Sequence, residues 1–529
     1  MRLAYAGSCY INPEEALNFY WATPSSWFGA YQASLALWHP PLFILVLHGI
    51  LFLGRTELIL RLPSLVGGTA ALWFTFAWIR RILGEIPALA GLGFMALSSA
   101  AISASTEIRQ YGLLLFFTCA ALYATERAFT ERSTIWAIVQ GLFLLGALLT
   151  NYAAVVVLLS LGFYVLLRSF LDGVPRRIFV TLVLTQLVLA TVLGWLYFVH
   201  IRFISFSSSG AATGYLRYYP EARETPLAFV WRTLFRTFAY ATGARRLTVL
   251  FMLVFLAGLA ALLAGRNKAP RLMTLLVISP FAVGFAAGVF HVLPFAGTRH
   301  QAYLLPFLAA GISAALAWLA RGRAVTVLLL GAVIATPLWI TRAKPDNDPR
   351  VMPISDMTAA IAYVDRMVPP GGPLFVDYET RDVLRYYLSR NDTKLDPFRS
   401  ETGVEDRLGG YRVVKPINHA YEFGPDDVLE QVTESARALG VPPGDPLWVV
   451  SVAWWEPSLA SRLPAGGGPE IDAKEFGRIS VIKVSGWDQE QVTSNPSSRQ
   501  QAIVGYGADA VNVISHSSSA LHSQWARPD

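Results

Sequence analysis

The chain has 529 residues, of which 54% are hydrophobic and only 15% charged, with a mean hydropathy of +0.44. About a quarter of the residues of an ordinary soluble domain are charged, so this composition excludes a soluble, disordered or fibrous chain and points to a polytopic membrane protein. The net charge of +7 does not imply nucleic acid, because the basic residues lie between apolar runs, as orientation signals do, and form no stripe that a phosphate backbone could follow.

Residues 1–39 contain no apolar run. The stretch 40–54 opens with Pro40 and Pro41, contains His48 and is too short for a full crossing, so it reads as a juxtamembrane helix lying in the interface. Ten longer runs follow, near 62–80, 86–104, 109–125, 134–150, 152–170, 178–200, 247–265, 272–291, 302–320 and 324–341. Each is long enough to cross a hydrocarbon core of about 30 Å. One set of alternate loops carries Arg80/Arg81, Arg127/Arg132, Arg168/Arg176/Arg177, Arg266/Lys268/Arg271 and Arg321/Arg323. The positive-inside rule places that set in the cytoplasm, and with it residues 1–61, 201–246 and everything after 341 outside. An opening segment of this polarity needs a means of crossing: either the first helix draws it across, or, the reading we favour, a first transmembrane helix lies upstream of Met1.

After Arg342 the composition turns to ordinary soluble polarity. GGPLFVDY, PLWVVSV and RISVIKV read as short strands, and 354–368, 379–389 and 425–438 as amphipathic helices. The expected fold is thus an all-α polytopic transmembrane bundle of about ten to eleven helices with a C-terminal extracytoplasmic α/β domain. Its parts are an external loop with the juxtamembrane helix (1–61), the membrane domain (62–341), the α/β domain (345–487) and a tail (488–529). The tail, rich in Ser, Gln, Asn and Ala, reads as disordered. Cys9 and Cys119 are too few for a disulfide framework or a metal cage.

Chemistry must come from polar groups at the outer ends of these helices. Asn12-Pro13-Glu14-Glu15 puts two carboxylates in an acid-poor opening, where a general base could be held; a plain helix start accounts for the same residues. Trp38-His39-Pro40-Pro41 puts His39 at the head of the juxtamembrane helix, either as a cap or beside a bound phosphate. Thr106-Glu107-Ile108-Arg109-Gln110-Tyr111 places Arg109 at an outer mouth, with Glu107 as its near partner. Gly297-Thr298-Arg299-His300 brings cations to a short external loop, suited to a lipid phosphate or to anchoring at the interface.

In order, PEEALNFYWA, WHPPLFILVLHG, ELILRLPSLVGGTAALWFTFAWIRRILG, SASTEIRQYGLLLFFTCAALY and LLTNYAAVVVL resemble the membrane glycosyltransferases of the C superfold. Within them the chain is most similar to the group of protein O-mannosyltransferases, lipid A aminoarabinose transferases and lipopolysaccharide sugar transferases. The resemblance is good over 11–152, looser to 341 and absent in the C-terminal domain. It implies a multi-pass protein of the bacterial inner membrane that moves a sugar, with inversion, from a polyprenyl-phosphate donor to a hydroxyl of a lipid, glycan or protein acceptor. In such families an Asp-Glu pair in the first external loop follows an initial transmembrane helix. Here Glu14 stands where the Asp would, as the base, with Glu15 second. His39, Arg61, Glu107, Arg109, Arg299 and His300 are then the donor-binding candidates. Some members use a divalent cation; the few acids here do not have the spacing of an oxygen cage and predict none. Two rivals are a polysaccharide ligase, which the arginine-rich stretch 201–246 would suit, and a transporter or flippase accessory protein, which should carry charges at mid-membrane depth.

Overall fold

The computed structural model of the chain describes residues 1–35, 39–203, 224–243, 245–265, 268–295, 297–320, 351–389, 405–415, 427–453, 457–463 and 469–487, with a few isolated residues between them. The tail expected from 488 onward and most of the run 324–341 lie outside the described residues.

The opening segment is helical: α1 (Arg2–Ser8), α2 (Pro13–Ala22), α3 (Trp27–Ser34) and α4 (Leu42–Ile50). The start of α2 follows from three residues. Asn12 Oδ1 accepts from the Glu15 N–H and Glu15 Oε2 accepts from the Asn12 N–H, each at 3.0 Å, a reciprocal capping box. Pro13 occupies the first helical position, where no N–H is needed. α4, within the stretch 40–54, rises only about 14 Å, too little to cross a membrane.

The membrane part comprises α5 (Glu57–Leu83), α6 (Glu85–Leu97), α7 (Ser99–Thr106), α8 (Tyr111–Thr130), α9 (Thr134–Thr150), α10 (Ala154–Asp172), α11 (Arg176–Val199), α12 (Pro226–Thr242), α13 (Thr248–Ala264), α14 (Lys268–Val289) and α15 (Leu305–Leu319). A 3₁₀ segment, Arg299–Leu304, leads directly into α15. Among the described residues six helices are long and apolar enough to span: α5, α8, α10, α11, α14 and the continuous Arg299–Leu319. The pair α6–α7, bent by 60°, makes a seventh. Of the ten runs expected to cross, the one at 324–341 lies mostly outside the described residues. The runs 134–150 and 247–265 build helices of 17 residues each, near the lower limit for a crossing. On α11, Leu184, Leu187, Val188 and Trp195 are exposed, as suits a helix whose solvent is lipid.

One close approach positions the site. A Cβ on Gly112 would lie 2.5 Å from the Ser64 carbonyl oxygen and 2.8 Å from that of Ala104, so α8 begins in backbone contact with α5 and α7. The turn 107–110 is thereby pressed onto α5, where the Ser64 hydroxyl donates to the Arg109 carbonyl at 2.7 Å.

The C-terminal part is a six-stranded sheet in the order β2-β3-β1-β4-β6-β5, with β1 (Pro373–Val376), β2 (Glu405–Leu408), β3 (Tyr411–Val414), β4 (Leu447–Val452), β5 (Glu470–Phe476) and β6 (Ile479–Ser485). β1 runs parallel to β3 and β4; the other pairings are antiparallel. The longer helices are α16 (Ile354–Met367), α17 (Tyr378–Ser389) and α18 (Val428–Ala438), with one further turn at Leu459–Arg462. All three expected strands and all three expected helices are present. β2, β3 and β5 are additional. β2 and β3 join through Gly409 and Gly410, both at positive φ, the requirement of a two-residue hairpin turn.

This domain does not stand apart from the opening segment. Tyr10, Ile11, Phe19, Phe43, Leu47, Leu60 and Ile108 share one apolar core with Met357, Val376, Val383, Tyr386, Val450 and Ile479. The segment that begins the chain is therefore clasped between the membrane helices and the α/β domain.

Candidate active site

The two neighbouring carboxylates of α2 have different surroundings. Glu15 is fully buried. Its Oε1 accepts from Arg61 Nε and from the Ile108 N–H, each at 2.8 Å. Its Oε2 accepts from Arg61 Nη2 at 2.8 Å and from the Asn12 N–H. Arg61, equally buried, directs its remaining hydrogens to the carbonyls of Ala6, Cys9 and Tyr10. Both ions are saturated by hydrogen bonds, the condition under which a buried pair is tolerated. From sequence, Glu15 is expected as a second base and Arg61 as a donor-binding cation; in the structure each bonds the other and nearby backbone groups. The pair instead ties the helix that carries Glu14 to α5 and to the turn before α8.

Glu14 retains partial exposure, 22% of its side chain, and meets two arginines. Its Oε2 forms an ion pair with Arg109 Nη2, and its Oε1 accepts from Arg299 Nη2 at 2.5 Å. The three residues come from α2, the turn before α8 and the start of the 3₁₀ segment. Arg109 is buried, and its guanidinium lies 5.5 Å from the Tyr111 ring centroid. Glu107 Oε2 is 3.9 Å from Arg109 Nη1, while the other Glu107 oxygen takes the Ser103 hydroxyl. Glu107 is thus a buried companion of Arg109. Among the described residues, Nε and Nη1 of Arg109 are buried with no hydrogen-bond partner. A buried guanidinium with unfilled donors costs free energy until an acceptor arrives.

The 3₁₀ start is set by a second capping box, in which Gln301 Oε1 accepts from the N–H groups of Gly297 at 2.5 Å and Thr298 at 3.2 Å. Arg299 and His300 follow. His300 Nδ1 lies 3.2 Å from the Tyr111 hydroxyl, with the rings edge to face. His39 approaches from the loop before α4. Burial, and then the charges of Arg109, Arg299 and His200, push its imidazole down to about 3, so it is neutral at physiological pH and can meet an anion only as a neutral donor or acceptor. His200 itself is buried, with Nδ1 2.5 Å from the Tyr152 hydroxyl.

Six of the eight residues singled out from sequence therefore converge: Glu14, His39, Glu107, Arg109, Arg299 and His300. Glu15 and Arg61 brace the cluster from behind. Tyr111, Tyr152 and His200 were missed as individual residues; each lies at the end of an apolar run, the one signal that could have found them.

The family model described as dolichyl-phosphate-mannose-protein mannosyltransferase matches residues 38–198, a span that includes His39 and Arg109 and leaves out Glu14 and Arg299. No curated protein matches the chain. Among solved structures, ArnT from Cupriavidus metallidurans bound to undecaprenyl phosphate is similar at 14% identity and a TM-score of 0.52, over 93% of this chain and 97% of that one. The apo form of the same protein matches at 16% identity and a TM-score of 0.47, over 91% and 93%. The chain thus shares the fold of that undecaprenyl-phosphate-bound ArnT structure, and its apolar helices make it a multi-pass membrane protein. A match over 93% of the chain leaves too few residues uncovered to exclude the whole α/β domain, so the likeness of fold extends further than the likeness of sequence.

Proposed function

We propose that the chain is an inverting glycosyltransferase of the bacterial inner membrane. It moves a sugar from a polyprenyl-phosphate donor to a hydroxyl of an envelope lipid, polysaccharide or protein, on the outer face where the α/β domain also lies. The observation that carries this reading is the convergence of one partly exposed carboxylate, Glu14, with two arginines from distant loops, Arg109 and Arg299, at the ends of membrane helices.

The chemistry needs these groups. The acceptor oxygen forms a bond to the anomeric carbon as the bond from that carbon to the phosphate oxygen breaks; the hydroxyl proton goes to Glu14, and the phosphate leaves with the electron pair. A positioned base contributes about 10²–10⁴-fold. Charge developing on the leaving phosphate is stabilised by donors fixed beforehand in a site of low polarity, and Arg109, with buried donors awaiting an acceptor, suits that task. His39, neutral, adds hydrogen bonding without charge, and His300 stands beside Arg299 with Nδ1 near the Tyr111 hydroxyl.

The basic ends of the helices support the outer placement. α5 carries Arg61 near the site and Arg80 and Arg81 at its far end, about 30 Å along the axis, where Arg81 and Arg127 pair with Glu131 and Arg168 with Glu126. By the positive-inside rule that end is cytoplasmic. The family match and the undecaprenyl phosphate bound by ArnT favour the lipid-phosphate donor class. The test is transfer from purified polyprenyl-phosphate sugars to envelope acceptors, with candidates chosen by mass spectrometry of envelope glycans with and without the gene. Identical glycan profiles, and no transfer from any donor, would overturn the proposal.

A further inference from the structure

We infer that Glu14 and the lipid phosphate compete for the same two arginines, and that protonation of Glu14 during transfer hands both arginines to the leaving phosphate. This rests on the glycosyltransferase reading above and adds to Glu14 a role beyond that of base.

Arg109 and Arg299 converge on a single carboxylate from two loops far apart in sequence. Their side chains are only 5% and 14% exposed. Two like charges so placed repel unless anions offset them; Glu14 lies between them, and Glu107, 3.9 Å from Arg109 Nη1, also offsets Arg109. Arg109 nevertheless keeps Nε and Nη1 buried with no hydrogen-bond partner among the described residues, so the carboxylate does not saturate the site. A phosphate offers more acceptor oxygens than Glu14 presents and can take up those donors.

The charges explain why the exchange belongs to the reaction. A sugar phosphodiester carries one negative charge. The phosphate monoester it leaves behind carries up to two, its second ionisation falling near pH 6. At the same step Glu14 gains the acceptor's proton and loses its own charge. The negative charge facing the two arginines is therefore conserved across the transfer, moving from carboxylate to phosphate as the proton moves from acceptor to carboxylate. Little electrostatic reorganisation is needed at the moment of reaction. Reprotonated Glu14 has no claim on the arginines, and the product phosphate leaves when Glu14 ionises again and takes them back.

The test is direct titration of the full-length protein in nanodiscs with undecaprenyl phosphate, a product mimic, with no sugar and no turnover. Glu14→Gln imitates the protonated state. We expect it to bind undecaprenyl phosphate about tenfold more tightly than wild type, within the usual range of coupling between two sites. Arg299→Ala should bind about tenfold more weakly, and adding Glu14→Gln to it should recover less than it gains in the wild-type background. If Glu14→Gln binds equally or more weakly while Arg299→Ala is weakened, the arginines hold the phosphate but Glu14 merely orients them, and the exchange is overturned. If Arg299→Ala leaves binding unchanged, the phosphate site itself is misplaced and the proposed function loses its support. Should Glu14→Gln not fold, Glu14→Asp, whose shorter arm withdraws from both arginines, must show a smaller gain in affinity; a loss there rejects the exchange.

Discussion

Glu14 and Glu15 are adjacent in the first turn of α2, yet Glu15 is sealed against Arg61 while Glu14 lies partly exposed between Arg109 and Arg299. Successive helical residues point about 100° apart, and that rotation separates the two roles. Glu14→Gln should lower turnover by about 10²–10⁴-fold; it also removes the anion between Arg109 and Arg299 and lowers the melting temperature, though less than Glu15→Gln because Glu14 is partly exposed. Glu15→Gln strands a buried guanidinium and should cost about 3–5 kcal/mol of stability. Thermal unfolding alongside turnover separates the two. Near-normal turnover in Glu14→Gln would mean that the base lies elsewhere, and a stable Glu15→Gln would mean that the pair with Arg61 is dispensable.

His39 gives a pH dependence with a definite sign. An unperturbed imidazole titrates near 6.5, whereas burial and the neighbouring arginines push His39 down to about 3. Above 6.5 it is neutral in both folded and unfolded chains, and its contribution is fully present. As pH falls from 6.5 towards 3, the unfolded chain takes up a proton that the folded one refuses, so stability declines. His39→Gln should flatten the curve of melting temperature against pH across that window relative to wild type. Parallel curves would place His39 in a wetter setting.

Orientation is tested by reporter fusions at Arg176, at the start of α11, and at Pro370, beyond α16 and before β1. The two should report opposite compartments, Arg176 in the cytoplasm and Pro370 outside. Agreement between them would put the α/β domain on the cytoplasmic side and the proposed outer-leaflet chemistry with it.

Much of this was legible in the chain because membrane helices announce themselves as apolar runs, and the polar motifs at their ends stand out against that background. The runs at 134–150 and 152–170 and the strands PLWVVSV and RISVIKV emerged where expected. β5 was missed because EIDAKEF, largely exposed along one side of the sheet, has no apolar face to reveal it. β2, EDRL, is equally polar. Topology and the family resemblance put Glu14 and Arg299 at one membrane face, but their direct bond could not be read, since 285 positions separate them and only the packing of α5, α7 and α8 decides which loops meet. For the same reason Arg61 looked like one more outer cation, when the partner that neutralises it lay 46 residues back.

The α/β domain bears on the chemistry through one contact. The Tyr387 hydroxyl on α17 accepts from the Ile11 N–H at 3.0 Å, one residue before the capping box that starts α2. Beside it, Tyr386 donates to the Arg55 carbonyl at 2.7 Å, and the Arg385 guanidinium lies 4.5 Å from the Tyr20 ring centroid. α17 thus grips both ends of the helix that presents Glu14. Tyr387→Phe keeps the ring in the shared core and removes only the acceptor, leaving the Ile11 N–H without its partner, at a cost of about 1–3 kcal/mol if water cannot replace it. Because Ile11 does not touch the arginines, affinity for undecaprenyl phosphate should stay near that of wild type, while turnover drops several-fold as Glu14 loses its fixed angle of approach to the acceptor. A fall in phosphate affinity matching the fall in turnover would instead mean that the domain holds the whole cluster together, and unchanged turnover would leave α17 with a purely structural grip.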